Sequence, residues 1–183
     1  HFTAADVPSG QPYLEGSVFF QFACFGYGTP AESDFLHWLN TPGANASTDF
    51  LAALPKKLLA NPRGPLAYLG HVDLACLHGF ADPDNLDLEE RWRSRLVPFR
   101  AALESLLRLQ PVGLAVARLN ERYNLLNAQL TRIYDRIRRG KQALDEPTHK
   151  TLANLFITRS DAQNYMVFGD PGARLRVPAK GGT

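Results

Sequence analysis

Ser17-Val18-Phe19-Phe20-Gln21-Phe22-Ala23-Cys24 is the stretch on which the fold turns. It is apolar and aromatic, broken only by Gln21, and closed by Gly26 and Gly28. Such a run predicts a strand buried on both faces, as in a parallel sheet. Pro65-Leu66-Ala67-Tyr68-Leu69-Gly70-His71-Val72 predicts a second strand of the same kind. Between them, residues 31–39 after Pro30 predict a short helix. Thr48 or Asp49 is placed to cap another helix over residues 50–60, which Asn61-Pro62-Arg63-Gly64 ends. Strands alternating with helices predict an α/β domain with a mostly parallel sheet flanked by helices.

Beyond the second strand, residues 81–88 read as a loop rich in Asp, Pro and Asn. Residues 89–109 predict a helix with a kink or break at Pro98. Val112, Val116, Leu119, Tyr123, Leu126, Leu130, Ile133 and Ile137 then fall in alternating steps of four and three. That spacing makes one apolar seam on a long helix ending near Gly140. The seam is expected to pack against the domain's own sheet; a partner subunit is the alternative surface. A last helix over residues 148–162, a strand over 165–169, a turn at Asp170-Pro171-Gly172 and a terminal strand over 173–177 complete the reading.

The chain has 183 residues, enough for one domain over residues 1–183 with a sizeable core. Lys and Arg number 20 and Asp and Glu 18, so the formal net charge is +2 and bulk charge argues for neither nucleic acid nor membrane. No apolar run is long enough to span a bilayer. The opening His1-Phe2-Thr3-Ala4-Ala5-Asp6-Val7 has no initiator Met and no signal-like core, and reads as the interior of a longer polypeptide. Two cysteines, Cys24 and Cys76, are too few for a disulfide framework. Both read as free thiols in a reducing compartment, which points to the cytoplasm.

Cys24 stands at the carboxyl end of the first strand, where open α/β sheets collect functional groups. A small residue precedes it and two glycines follow closely. Small residues let a substrate backbone approach, and a glycine turn can aim N–H groups at a developing oxyanion. A thiol needs only an adjacent base or a depressed pKa to become a strong nucleophile. A buried core cysteine fits the same position on composition. Cys24, His71, Cys76 and His78 form only a loose metal-ligand set without a Cys-x-x-Cys pair, so zinc ranks last and no cofactor is expected. No phosphate loop or dinucleotide fingerprint is present.

Phe22-Ala23-Cys24-Phe25-Gly26-Tyr27-Gly28-Thr29-Pro30 resembles the cysteine strand of bacterial caspase-like peptidases of the gingipain type, which reads like Phe-Ala-Cys-Tyr-Gly-Ala-Gly-Thr-Pro. Leu54-Pro55-Lys56-Lys57-Leu58-Leu59 and Gly70-His71-Val72-Asp73 resemble a helix reading Leu-Pro-Arg-Arg-Leu-Leu and a strand ending Gly-His-Val-Glu in the same proteins. Asp161 through Pro171, closing on Gly169-Asp170-Pro171, is similar to their last strand and turn. The resemblance covers most of the chain, in order. It implies a three-layer caspase-like fold, of which this chain is the carboxyl-terminal part, and peptide-bond hydrolysis of a peptide or protein substrate by Cys24. The N–H groups of Cys24 and Gly26 would hold the oxyanion.

The family's catalytic histidine belongs to a His-Gly pair on the strand before the cysteine strand. The residues preceding Cys24 contain no such pair, and the chain's His78-Gly79 follows the cysteine. An upstream fragment or subunit is therefore one expected source of the base. His71 is the other, because it ends a strand on the same sheet edge and neighbouring strands run ~5 Å apart; His78 is a third. Asp73 and Asp6 are candidates to orient a histidine or pair with a basic substrate side chain; as turn or capping residues they would do neither. The competing functional class is a non-catalytic caspase-like interaction or scaffold module, which keeps the fold without the chemistry.

Overall fold

The computed structural model describes residues 2–35, 48–82, 85, 87 and 89–176. It is a mixed α/β arrangement around a small sheet in the order β1-β4-β5. The strands are β1 (Val18–Phe20), β2 (Gly28–Thr29), β3 (Phe50–Leu51), β4 (Ala67–His71) and β5 (Tyr165–Gly169). The helices are α1 (Ala53–Leu59), α2 (Glu90–Leu107), α3 (Val112–Arg138) and α4 (Glu146–Gln163). β1 runs parallel to β4, and β4 antiparallel to β5.

The sheet is therefore mixed, not mostly parallel. Asn164 alone separates α4 from β5. The helix ends beside the carboxyl end of β4, where Tyr165 pairs with His71. With no room for a crossover, the strand can only run back antiparallel. β1 is shorter and less buried than the apolar run predicts, and Phe20 is 37% exposed. Among the described strands it pairs only with β4.

β4 is buried along its whole length, as expected for the central strand. Its alternating side chains reach two apolar clusters. Ala67 and Leu69 join Phe99, Ala102 and Leu106 of α2 and Val112, Ala115, Val116 and Leu119 of α3. Tyr68 points the other way, onto Val7 and the α1 residues Leu54 and Leu58.

The seam on α3 holds. Val112, Val116, Leu119 and Leu130 are buried, and Tyr123, Leu126, Ile133 and Ile137 are half-buried, with α2 and α4 packed alongside. Two other expectations are corrected. Residues 50–51 pair with β2 instead of opening a helix; α1 starts at Ala53 after Ala52, which supplies no side-chain cap. Residues 173–176 form no strand. The backbone from Pro171 to Ala173 serves another end: Val112 N–H donates to Ala173 O and Gly113 N–H to Pro171 O, so it caps α3. Residues 31–35 make bends and turns, and residues 36–39 of the expected short helix lie outside the described residues.

Candidate functional site

Parallel β1 and β4 deliver two loops to one edge of the sheet, and Cys24 and Ala75 meet there. Cys24 is exposed. Its Sγ accepts from Ala75 N–H at 3.4 Å and lies 3.6 Å from Ala75 O. The thiol sits in a tight turn closed by Gly26 N–H donating to Ala23 O at 3.0 Å. Phe25 takes φ 56°, a left-handed conformation that an aromatic residue keeps only when its surroundings hold it.

Those surroundings are well defined. Phe25 N–H donates to Asp73 O at 2.9 Å, and Tyr27 N–H to His71 O at 3.0 Å. Tyr68, wholly buried, donates its hydroxyl to Gly26 O at 2.7 Å and also bonds Gln21. Burial pushes the Tyr68 phenol up to about 12, so the hydroxyl stays a donor. Gly70 is needed for this approach, since a Cβ there would stand 3.1 Å from both the N and Cβ of Tyr27. Tyr68 escapes a reading of the sequence because it looks like one more apolar strand residue; the clue is a hydroxyl that burial obliges to find a partner.

The candidate oxyanion donors fare differently. Gly26 N–H is already used within the turn, so its expected role is corrected. Cys24 N–H donates to no group among the described residues.

His71 is wholly buried, and both ring nitrogens are engaged. Nδ1 lies 2.9 Å from Asp73 O and Nε2 3.0 Å from Asp161 O. No nitrogen is left to take a proton from Cys24 in this arrangement. His78 lies in the 3-10 turn Leu77–Gly79, and no hydrogen bond or ion pair joins it to Cys24.

Asp73 is buried, and its carboxylate accepts from Ser33 Oγ at 2.8 Å, Asp34 N–H at 3.1 Å and Leu74 N–H at 2.7 Å. It ties the segment after β2 to the segment after β4, as a turn residue rather than a contact for substrate. Asp6 is exposed in the 3-10 turn Ala4–Asp6, closing a capping box with Thr3. The Thr3 hydroxyl and N–H hold its carboxyl below the usual range. It joins no contact with Cys24, His71 or Asp73.

Asp161 is the residue that sequence reasoning missed. It is wholly buried on α4, and its Oδ1 accepts from Cys76 N–H at 2.8 Å and stands 3.4 Å from His71 Nε2. Gly79 approaches so closely that an added Cβ would collide with its Oδ2. Arg122 of α3 donates to Gly79 O at 2.6 Å, and Arg95 of α2 to His78 O at 2.7 Å. Three helices thus grip the loop that contacts Cys24.

Beside the turn, a cleft of about 660 Å³ opens between Tyr27, Pro30, Phe50, Leu51 and Val72, with Asp49 on its wall. Its walls are mostly apolar, as in many ligand sites.

The two thiols differ in setting. Burial, aided by the negative charge of Asp161, pushes Cys76 up to about 11, and it is half-buried. Limiting iodoacetamide at neutral pH is expected to label Cys24 first, read by peptide mass spectrometry; preferential labelling of Cys76 would reverse the assignment.

Among the described residues, no helix is long and apolar enough to cross a membrane, and no three His, Cys, Asp or Glu side chains gather as a metal site. Comparison with protein-family models, curated proteins and solved structures found no match to this chain.

Proposed function

We propose that this chain is the nucleophile-bearing, carboxyl-terminal part of a three-layer caspase-like cysteine peptidase of the gingipain type, working in the reducing cytoplasm. The observation that carries this reading is an exposed thiol held in a strained turn beyond the carboxyl ends of two parallel strands. Cys24 adds to the peptide carbonyl. The tetrahedral oxyanion takes the N–H of Cys24, and a histidine protonates the departing amine. Water then hydrolyses the thioester and restores the thiol. The cleft beside Tyr27 receives a substrate side chain. Because His71 is fully engaged, the histidine is expected on an upstream segment bearing a His-Gly strand.

The same engagement of His71 favours a second reading, a scaffold that keeps the fold without the chemistry. A peptidyl electrophile that traps cysteine peptidases separates the two, applied to the chain together with a His-Gly segment. Covalent labelling that is lost in Cys24→Ala and kept in Cys76→Ala is the expected result. Absence of labelling in every form favours the scaffold.

A further inference from the structure

The ring of His71 faces acceptors on both sides. Asp73 O is 2.9 Å from Nδ1 and Asp161 O is 3.0 Å from Nε2, with the Asp161 carboxylate 3.4 Å from the same Nε2. Carbonyl oxygens have no proton to give. A neutral imidazole has one N–H and one lone pair, so one of these contacts would set lone pair against lone pair. Only the doubly protonated ring donates to both. Its charge is answered by Asp161, which is as buried as the ring.

We propose that His71 is a buried imidazolium that acts as a positioning residue for Cys24, holding the turn that carries the thiol. This rests on reading Cys24 as the reactive thiol. The connection is direct. Asp73 O accepts both His71 Nδ1–H and Phe25 N–H, and His71 O accepts Tyr27 N–H. The turn therefore hangs from residues 71 and 73 just beyond the thiol. Loss of the ring proton takes a donor from Asp73 O, or from Asp161, and sets a lone pair against an oxygen.

The groups around the ring come from every element packed on it. Asp161 stands on α4, and Tyr165 of β5 meets the ring edge to face at 5.0 Å. Arg122 of α3 and Cys76 of the loop after β4 lie within electrostatic reach of Asp161, and Asp73 stands earlier in that same loop. Burial works against the charge on His71, but the hydrogen bond and charge of Asp161 with the two carbonyls outweigh it and hold the ring above its ordinary 6.5. A raised folded value means the charged form favours folding. That contribution is complete below pH ~6.5 and is lost as pH rises through the folded value.

The test is a pH titration of the 15N-labelled 183-residue chain by NMR, alongside iodoacetamide labelling rates at Cys24. At pH 7 both ring nitrogens of His71 are expected to carry protons. As pH rises, the Phe25 and Tyr27 amides should shift together with the ring. The labelling profile should show an inflection at the same pH, and His71→Gln should lose it. A neutral tautomer at pH 7, or amides that ignore the titration, overturns the proposal; these readings on the unmodified chain decide it even if His71→Gln fails to fold. Alkylation needs no peptidase turnover. A reactive Cys24 indifferent to His71 overturns the positioning role alone, whereas an inert Cys24 beside a titrating His71 overturns the peptidase reading and the positioning role with it.

Discussion

Asp161→Ala is expected to lower stability by about 3–5 kcal/mol, the usual cost of removing one partner from a buried charged pair. The substitution strands His71 next to a carbonyl with its charge unanswered, and it takes the acceptor from Cys76 N–H. Both groups are wholly or partly buried, so water cannot replace the lost oxygens. For a chain of this size, each kcal/mol moves Tm by roughly 2–4 °C. Asp161→Asn keeps an acceptor for Cys76 N–H and nearly the same volume, so it should cost less. Urea denaturation compares the three through midpoint shifts at constant slope. If Asp161→Ala stayed within about 1 kcal/mol of the unmodified chain, His71 and Asp161 would not be a charged pair.

Peptide hydrolysis by residues 1–183 alone is expected to be slower by roughly a hundred- to ten-thousand-fold than hydrolysis with a His-Gly segment supplied, the span that general acid–base help provides. At neutral pH a free thiol is only a few per cent ionised. His71 offers no base, because both its nitrogens already face oxygens. Turnover of a peptide ester, with and without the added segment, measures the difference. Brisk turnover by the isolated chain that disappears in His71→Gln, with the fold intact by circular dichroism, would reassign His71 as the base.

Which of these features could be read from sequence follows from how far apart the interacting groups lie along the chain. β4 was legible as an unbroken apolar run, and α3 as a seam with helical spacing. The turn at Asp170-Pro171-Gly172 was legible from its own residues. The glycine-closed turn that carries Cys24 was legible too, although β1 ends at Phe20 and the thiol lies beyond it. Each of these is a local pattern, set by side chains a few positions apart.

The roles of His71, Asp73 and residues 173–176 were not legible. His71 and Asp161 are separated by 90 positions, and neither carries a local mark of the other. Asp73 looks free until Ser33 and Asp34 fold onto it. Residues 173–176 have the composition of a strand, but the first N–H groups of α3 claim the carbonyls of Pro171 and Ala173. By itself the sequence determined β4, β5 and the long helices α2, α3 and α4, because periodicity and turn chemistry act within a few residues. Only the tertiary structure decided the direction of β5 and the burial of His71 between two acceptors. Those depend on which distant backbone oxygens a buried N–H can reach, and burial makes reaching one obligatory.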